Sequence, residues 1–399
     1  MVALIFATVI LLAPALFAQD TGTVPSSRAD EIQSQRLDKS ANLRVEQPSQ
    51  SEKYLLRAER VIRRSHIGIG VGGLGPRAGL AVGSAAEWSN SSDRLQAKVS
   101  GTVSTKLFYY AGTGIQVLKP ELNDLRFSGE ASHSDFPQLN YYGSGPDSSK
   151  NDRTDYRRED TLFTLRGELN SHRFLAESCF VGELLLNVGP GTNGSLPSTE
   201  TVFGPAEAPG VDVQSNYLIP GCSVQLDLRD FKDDPHHGTF AAITYDRYHA
   251  QSADRFSFHR LSGVVEEYLP FLNEKRVIFL RGETNFSFHS DDQVVPFYLQ
   301  STLGSDTTLR GYPWLRFYDE NSLALTAEYR WEILTGFDMA LFGDFGKVFN
   351  KPSQISLSGL RNSFGFGFRF KYGRAMVARL DTGFSREGVQ VWLKFGKLF

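Results

Sequence analysis

The sequence has few cysteines, few methionines and no long apolar run beyond its first residues. Its 399 residues include two Cys and three Met, and past residue 18 no stretch reaches the 18 apolar residues that a membrane-spanning helix needs. These absences exclude a helical membrane protein. They do not exclude a membrane β-barrel, because only every second residue of a barrel strand must be apolar.

An excess of charge of either sign is also missing. Forty-two Lys and Arg against 45 Asp and Glu give a formal net charge of −3, which argues against a dedicated nucleic-acid-binding protein. The sequence contains no Gly-x-Ser-x-Gly nucleophile elbow, and neither cysteine has metal ligands at a suitable spacing. We therefore predict no enzyme activity, no catalytic residue, no cofactor and no metal site.

Glycine and aromatic residues are abundant instead. The 37 Gly, 30 Phe and 15 Tyr are typical of an all-β chain with many tight turns. Sixteen strand-like runs separated by turn residues begin at residue 65. They cover residues 65–73, 77–88, 94–103, 106–118, 123–135, 158–170, 174–188, 215–229, 239–250, 256–269, 276–289, 321–333, 337–349, 360–371, 374–385 and 389–399.

The N-terminal residues precede these runs. Residues 1–18 carry an apolar run followed by small residues and predict a secretory signal peptide. Residues 19–50 are polar and have no lasting period, which predicts a disordered or extended linker. Residues 51–64 alternate apolar side chains with arginines, as a short amphipathic helix does. That helix could be solvated, occupy a barrel lumen or lie on an anionic membrane leaflet.

Connections between the runs alternate in length. Short joints such as 170–173 and 334–336 contrast with the long segments 136–157, 189–214 and 290–320. Bacterial outer-membrane barrels have short periplasmic turns and long extracellular loops of this kind, and closure removes strand edges that lipid does not tolerate. We predict an all-β protein: a 16-stranded antiparallel transmembrane β-barrel over residues 65–399, exported to the bacterial outer membrane.

Two consecutive runs near the C-terminus separate an apolar face from a polar one. In the run 321–333, Leu323 and Leu325 alternate with Glu328 and its even-numbered neighbours. In the run 337–349, Asp344 falls on the polar face by the same alternation. Both carboxylates can therefore point into the barrel, and Arg310 lies in the loop that precedes these two runs.

This region resembles the BamA/TamA and two-partner-secretion transporter superfamily, also described as bacterial surface antigen barrels. The motif Leu309-Arg310-Gly311-Tyr312 resembles the (V/L)RG(F/Y) motif of the family's sixth outer loop. The segment Phe342-Gly-Asp344-Phe-Gly346 resembles its F-x-D-x-G strand motif, and Glu328 falls where the family places an acidic residue.

Two further segments carry the same resemblance. Asp227-Leu-Arg-Asp230, with Pro235 and Gly238, resembles the family's turn between strands eight and nine. The last strand ends in Phe399, which resembles the family's C-terminal assembly signal.

The resemblance implies that loop 290–320 folds into the lumen and that Arg310 meets Glu328 and Asp344. A wet lumen would screen such a contact, so we expect it to contribute about 1–3 kcal/mol, as a charged hydrogen bond does. Family members that insert or export proteins normally carry periplasmic POTRA domains. The segment 19–64 is too short for one such domain, so a barrel-only member is expected.

Function follows from the resemblance as an expectation. It implies outer-membrane protein assembly or polypeptide and lipid translocation. A passive or gated pore constricted by loop 290–320, and a non-transporting surface antigen, remain open alternatives. The expected partners are outer-membrane lipids, the barrel-assembly machinery for its own insertion, and a periplasmic partner or polypeptide client, with no nucleic acid.

The two cysteines are expected to stay apart. Alternation in the run 174–188 is read with its glutamates inside, which turns Cys179 inward with Glu177 and Glu183. Cys222 is read as facing outward with Val224. Cysteines on opposite faces of one wall cannot be bridged, so this assignment argues against a disulfide.

The first run contains the pattern Gly68-Ile-Gly70-Val-Gly-Gly73. A dinucleotide site would need a helix after it, whereas Leu74-Gly-Pro76 and another strand follow. Glycine weakens a strand, and this strand must pair with the last one to close the barrel. The glycines therefore mark either a weak seam or relief of crowding at closure.

Overall fold

A computed structural model describes residues 32–37, 67–72, 78–119, 125–192, 194–272, 275–373 and 375–395. The chain divides into two units, residues 1–59 and residues 60–399. In the first unit, residues 32–37 form a helix, so the prediction of a linker without structure is wrong for these six residues. The predicted signal peptide 1–18, the predicted helix 51–64 and Phe399 lie outside the described residues.

The second unit is built on one antiparallel sheet of sixteen strands. In sheet order the strands are β1 Ile67–Gly72, β2 Ala81–Ser89, β3 Leu95–Ser104, β4 Tyr109–Lys119, β5 Leu125–Tyr141, β6 Thr154–His172, β7 Leu175–Pro190, β8 Tyr217–Asp227, β9 Gly238–Ala250, β10 Phe258–Phe271, β11 Arg276–Phe288, β14 Asn321–Leu334, β15 Phe337–Phe349, β16 Arg361–Tyr372, β17 Ala375–Ser385 and β18 Gly388–Phe395.

The remaining elements are short and lie in the connections. Strands β12 Ser301–Leu303 and β13 Phe317–Asp319 form a separate two-stranded sheet within the β11–β14 connection. A four-residue α-helix spans Thr199–Val202. Single 3₁₀ turns span Lys150–Asp152, Asp254–Phe256, Phe297–Leu299 and Pro352–Gln354.

Each strand of the large sheet pairs with its sequence neighbours, apart from the step from β11 to β14. The first and last strands, β1 and β18, approach each other to Cα–Cα distances within 8 Å, so the sheet curls round on itself. The predicted number and order of strands are confirmed. In the part of the chain that the structure describes, no helix is long and apolar enough to cross a membrane.

Two strands are longer than predicted. Strand β5 was expected to end at residue 135 but continues to Tyr141, and β6 begins at Thr154 instead of 158. Pro137 disfavours a strand interior because it cannot donate to the ladder. The structure absorbs it in an irregularity of the β5–β6 register between Phe136 and Leu139, and pairing then resumes.

All strands alternate in direction, so their connections fall at two ends. The three longest connections, residues 142–153, 191–216 and 289–320, share one end, here called the loop end. The connection 228–237 lies at the opposite, turn end. The asymmetry predicted from the sequence is therefore present in the fold.

The principal apolar core lies at the loop end. The long connections and the nearby strand ends bury aromatic side chains against one another, including Tyr141, Tyr156, Phe297 and Tyr318. The Tyr141 ring lies 5.0 Å from the rings of both Phe297 and Tyr318. Near the loop end, the buried face of the large sheet is thus aromatic as well as polar.

This aromatic core overturns the predicted faces of β7. Leu184 is buried in the core and Phe180 packs against it, whereas Glu177, Cys179 and Glu183 are exposed on the other face. The prediction failed because it assigned polar residues to the inside, but here large apolar residues point inward. Cys222 is directly opposite Cys179 in the β7–β8 register, so both face outward.

The two cysteines form a disulfide, and the prediction that they stay apart is wrong. The bond joins residues 43 positions apart, and a cross-link of this span contributes about 2–4 kcal/mol to stability.

We expect Cys222→Ser to lower the temperature at which the folded barrel loses its distinct mobility on a detergent gel. Adding Cys179→Ser should lower it no further, and an unchanged temperature in the single variant would contradict the prediction.

Candidate functional site

The long connection 289–320 leaves β11 at the loop end and packs its middle part against the buried face of the sheet. The side chains of Leu303, Leu309, Tyr312 and Phe317 form a buried apolar cluster with Ala324 of β14 and Val348 of β15. The Tyr312 ring meets the Phe317 ring at a centroid distance of 5.2 Å, edge to face. This cluster positions the backbone of residues 309–312 against the wall.

Arg310 makes several short polar contacts with the wall of the barrel. Its Nη2 lies 2.8 Å from Oδ1 of Asp344, and its Nη1 lies 2.6 Å from Oε2 of Glu328. Its Nε and its backbone N–H both donate to Asp344 Oδ2 at 3.0 Å. The structure therefore brings together the three side chains that alternation and the loop motif indicated.

This contact is dry, contrary to the expected wet lumen. Arg310, Glu328 and Asp344 are at most 4% exposed. Burial disfavours the charge of Arg310, but the hydrogen bonds of Asp344 and the charges of Glu328, Asp344 and Asp381 outweigh it and raise the pKa of Arg310. Solvent therefore screens the interaction much less than anticipated.

Asp344 is the principal acceptor of the site. Besides Arg310, it accepts from the hydroxyl of Thr326 on β14 at 3.1 Å and from that of Ser363 on β16 at 3.2 Å. Its carboxylate is fully buried, so each of these donors replaces a lost water. Asp344 thus joins the loop to three adjacent strands.

The sequence did not indicate the second layer of the cluster. Arg369 donates to Asp381 Oδ1 at 2.5 Å and to Glu328 Oε1 at 3.1 Å. Arg330 and Arg379 donate to Glu328 and Asp381 at 2.8 Å and 2.6 Å, respectively. Alternation alone would have placed Asp381 on the inner face, beside Gly383, but nothing nearby in sequence indicates that Arg369 and Arg310 would meet it.

Gly311 lets the loop backbone approach the wall. A Cβ at this position would lie 2.6 Å from Cβ of Ser363 and 2.7 Å from the carbonyl of Phe384. Ser385 donates to the Gly311 carbonyl at 2.7 Å, and the indole N–H of Trp392 donates to the Arg310 carbonyl at 2.6 Å. The backbone is thereby bound to β17 and β18.

Phe342 and Gly346, predicted from the strand motif, both contact the loop. The Arg310 guanidinium carbon lies 3.3 Å from the centroid of the Phe342 ring, which places the cation over its face. A Cβ on Gly346 would lie 3.0 Å from Leu303 Cδ1, so the missing side chain leaves room for the apolar cluster. These motif positions therefore shape the seat of Arg310.

A second group of titratable residues lies where the loop joins β14. Burial next to Glu320 raises the pKa of Asp319 to about 6. The imidazole Nε2 of His289 forms a hydrogen bond to the Glu320 carboxylate, with 2.8 Å between Nε2 and Oε2. Burial opposes its charge, but the Ser290 carbonyl and Glu320 raise the pKa of His289.

The described residues contain no group of three or more His, Cys, Asp or Glu side chains that could hold a metal ion. The geometry supports a structural task. The loop arginine binds carboxylates of β14 and β15, and the loop backbone at this point accepts hydrogen bonds from side chains of β17 and β18.

The chain is similar to a known protein family in sequence and to known proteins in structure. Residues 213–389 match the Omp85 superfamily domain. No curated protein matches the sequence. Among solved structures, the chain is similar to BamA from Haemophilus ducreyi lacking POTRA domains 1–3, with a TM-score of 0.63 and 13% identity over 84% of this chain and 70% of that one.

CdiB from Escherichia coli is also similar, with a TM-score of 0.54 and 12% identity. The match covers 83% of this chain and 62% of CdiB. At such identities the likeness shows a common fold, which is an antiparallel outer-membrane-type β-barrel. Residues 213–389 of this barrel therefore carry an Omp85 superfamily domain.

Proposed function

We propose that this protein is an integral outer-membrane barrel that assembles membrane proteins or translocates polypeptide or lipid, and that loop 290–320 lies in its lumen as a gate. The match of residues 213–389 to the Omp85 superfamily domain supports the bacterial outer membrane as its location and assembly or translocation as its task. The observation that carries the gate is the buried Arg310 cluster, since a loop side chain fills the inner face of β14 and β15.

Contacts on a second wall support the same placement of the loop. Arg158 of β6 donates to the Tyr298 carbonyl at 3.2 Å, and Arg260 of β10 donates to the Leu299 carbonyl at 2.5 Å. In the sheet order, β6 lies six positions from β14 and β10 lies two positions from it. A loop bound to both walls crosses the space between them.

Neighbouring connections hold the loop as well. Arg316 is buried and its Nε lies 2.8 Å from Glu387 in the β17–β18 turn, while its Nη2 donates to the Ser148 carbonyl at 2.7 Å. Ser148 belongs to the connection 142–153. Opening the lumen would require these ion pairs and hydrogen bonds to exchange, which is what a gate does and a fixed pore lining does not.

Single-channel recording in planar bilayers tests the proposal. The purified protein should remain closed or open briefly, because the loop occupies the lumen. Deleting residues 303–316 removes Arg310 and its apolar seat and should produce large, flickering conductance. Deleting residues 353–358 of the exposed β15–β16 connection, which lies at the same end, is the matched control.

The outcomes separate the alternatives. A steady channel of porin size in the unaltered protein would contradict a gate and favour the passive pore. Silence of both the unaltered protein and the 303–316 deletion would leave the barrel without a conducting path and contradict translocation through the lumen.

A further inference from the structure

The connection between β8 and β9, residues 228–237, reaches a distant part of the barrel wall at the turn end. Asp234 Oδ2 lies 2.8 Å from Nζ of Lys371 at the end of β16, and Lys371 Nζ also lies 2.7 Å from Asp338 Oδ2 of β15. All three side chains are at most 9% exposed. Because Asp338 shares a face with Asp344, the contact is on the inside of the sheet.

The path of this turn follows from comparing the distance along the wall with the length of chain that is available. From β9 to β16 there are five steps in the sheet order, or about 24 Å along the wall at normal strand spacing. Asp234 is only four residues from Gly238, the first residue of β9, so its backbone reaches at most about 14 Å. Long side chains bridge the rest of this span, and Asp234 also lines a cavity with Val277, Arg330 and Asp338 on the inside of the wall. The turn therefore bends inward over the mouth of the barrel.

The start of the turn is built to bend in this direction. Leu228 N–H donates to the Thr239 carbonyl at 2.8 Å and Asp230 N–H to the His237 carbonyl at 3.1 Å, which extends the hairpin past the sheet. Gly238 adopts φ +106°, a conformation that L side chains rarely adopt. Asp230 Oδ1 accepts from the backbone N–H of His236 at 3.0 Å and fixes the tip.

The tip packs closely on the wall it reaches. A small cavity of about 10 Å³, room for about one water molecule, lies between them. His236 and Asp234 line this space from the turn, and Val277, Arg330 and Asp338 line it from β11, β14 and β15. The inward side chains Tyr268, Val277 and Phe279 form a small apolar core at this end. The turn thus covers the mouth over β10–β16.

The strands that hold this turn also hold loop 290–320. On β14, Glu328 binds Arg310 of the loop, and Arg330, two residues further on the same face, donates to Glu328 and faces Asp234 across the cavity. On β16, Arg369 binds Glu328, and Lys371, two residues further, binds Asp234. Adjacent charged pairs on β14 and β16 therefore connect the residues that bind the loop to the residues that bind the turn.

We propose that turn 228–237 is a second closure of the barrel, at the mouth opposite to loop 290–320, and that the charged pairs on β14 and β16 couple the two closures. The inference rests on the proposed gated barrel. It assigns to Asp234 and Lys371 the task of holding the turn shut, as Arg310 and Asp344 hold the loop.

Planar-bilayer recording of the full chain tests this second closure. Asp234→Asn removes the charge that binds Lys371 and should raise the open probability several-fold. Lys371→Met should do the same, and the double variant should open no more than Lys371→Met alone, because both changes break one contact. Asp233→Asn and Lys232→Met alter neighbouring exposed residues of the same turn and are the matched controls. Gel mobility before and after heating verifies that every variant folds.

Coupling is measured in the same recordings with the 303–316 deletion and the cycle Asp234→Asn, Arg310→Ala. If the double variant changes the open probability by a factor that differs from the product of the two single-variant factors, the two closures are coupled. If the factor equals that product, the proposed coupling is wrong. If the deletion opens the barrel but Asp234→Asn matches Asp233→Asn, the second closure is wrong and the loop gate stands. If no variant opens it, the proposed function itself fails.

Discussion

Arg310→Ala is expected to cause the largest loss of folded protein of any single substitution in the loop. The change leaves Asp344 and Glu328 buried without the cation that neutralises them, although Arg369 and Arg330 continue to contact Glu328. Removing one partner of a buried ion pair costs about 3–5 kcal/mol. The folded fraction, measured by heat-modifiable gel mobility, should fall accordingly.

Two comparisons sharpen this prediction. Arg386→Ala removes an exposed arginine that directly follows β17 at the loop end, and it should leave the folded fraction unchanged. Arg310→Lys retains the charge but loses the planar fork that donates to both carboxylates, so it should give an intermediate loss.

A double variant tests whether Arg310 and Asp344 act as one unit. Arg310→Ala combined with Asp344→Ala should lose less than the sum of the two single losses, because each change already breaks the same contact. An additive result would show that the pair is not coupled.

Gly383→Ala is expected to displace the loop without altering any charge. An added Cβ would lie 2.5 Å from both the carbonyl carbon and the carbonyl oxygen of Arg310, and 2.7 Å from the backbone nitrogen of Gly311. These are backbone atoms, which cannot turn aside as a flexible side chain can. Overpacking of this kind costs about 1–3 kcal/mol. Open probability in bilayers should rise while the barrel remains heat-modifiable.

Gly101→Ala is the matched control for this substitution. Gly101 is also a strand glycine, on β3, but its added Cβ would meet nothing closer than the Tyr110 carbonyl oxygen at 4.0 Å. If both variants behave alike, the effect of Gly383→Ala reflects strand propensity rather than displacement of the loop.

The strands and the first partners of Arg310 could be predicted because both follow from local periodicity. Glu328 and Asp344 lie on inner faces that alternation identifies without reference to the rest of the chain. The loop motif then supplied the cation. Asp381 and Arg369 were not predicted as partners. Arg369 reaches Glu328 from β16 to β14, across two strand positions, and the contact of Asp381 with Arg310 depends on how far the loop enters the barrel.

The failures at β7 and β5 have different causes. The β7 prediction assumed a polar interior, whereas Phe180 and Leu184 point inward and pack beneath the loops. The β5 prediction ended the strand before Pro137, which the sheet absorbs in a register irregularity. Periodicity reports that two faces differ but does not state which one is inside. At the loop end, burial by other connections reverses the usual assignment.

The outward position of the Cys179–Cys222 disulfide has a consequence for the order of events in biogenesis. Thiol–disulfide exchange requires a thiolate and access to an oxidised partner, and in the assembled barrel both sulfurs face the lipid side of the wall. We therefore expect oxidation to precede membrane entry. A slip of one residue would turn the sulfurs to opposite faces, so the bond records the correct register of β7 and β8 while the chain is still in water. The pair formed by β7 and β8 should thus arrive at the membrane already aligned.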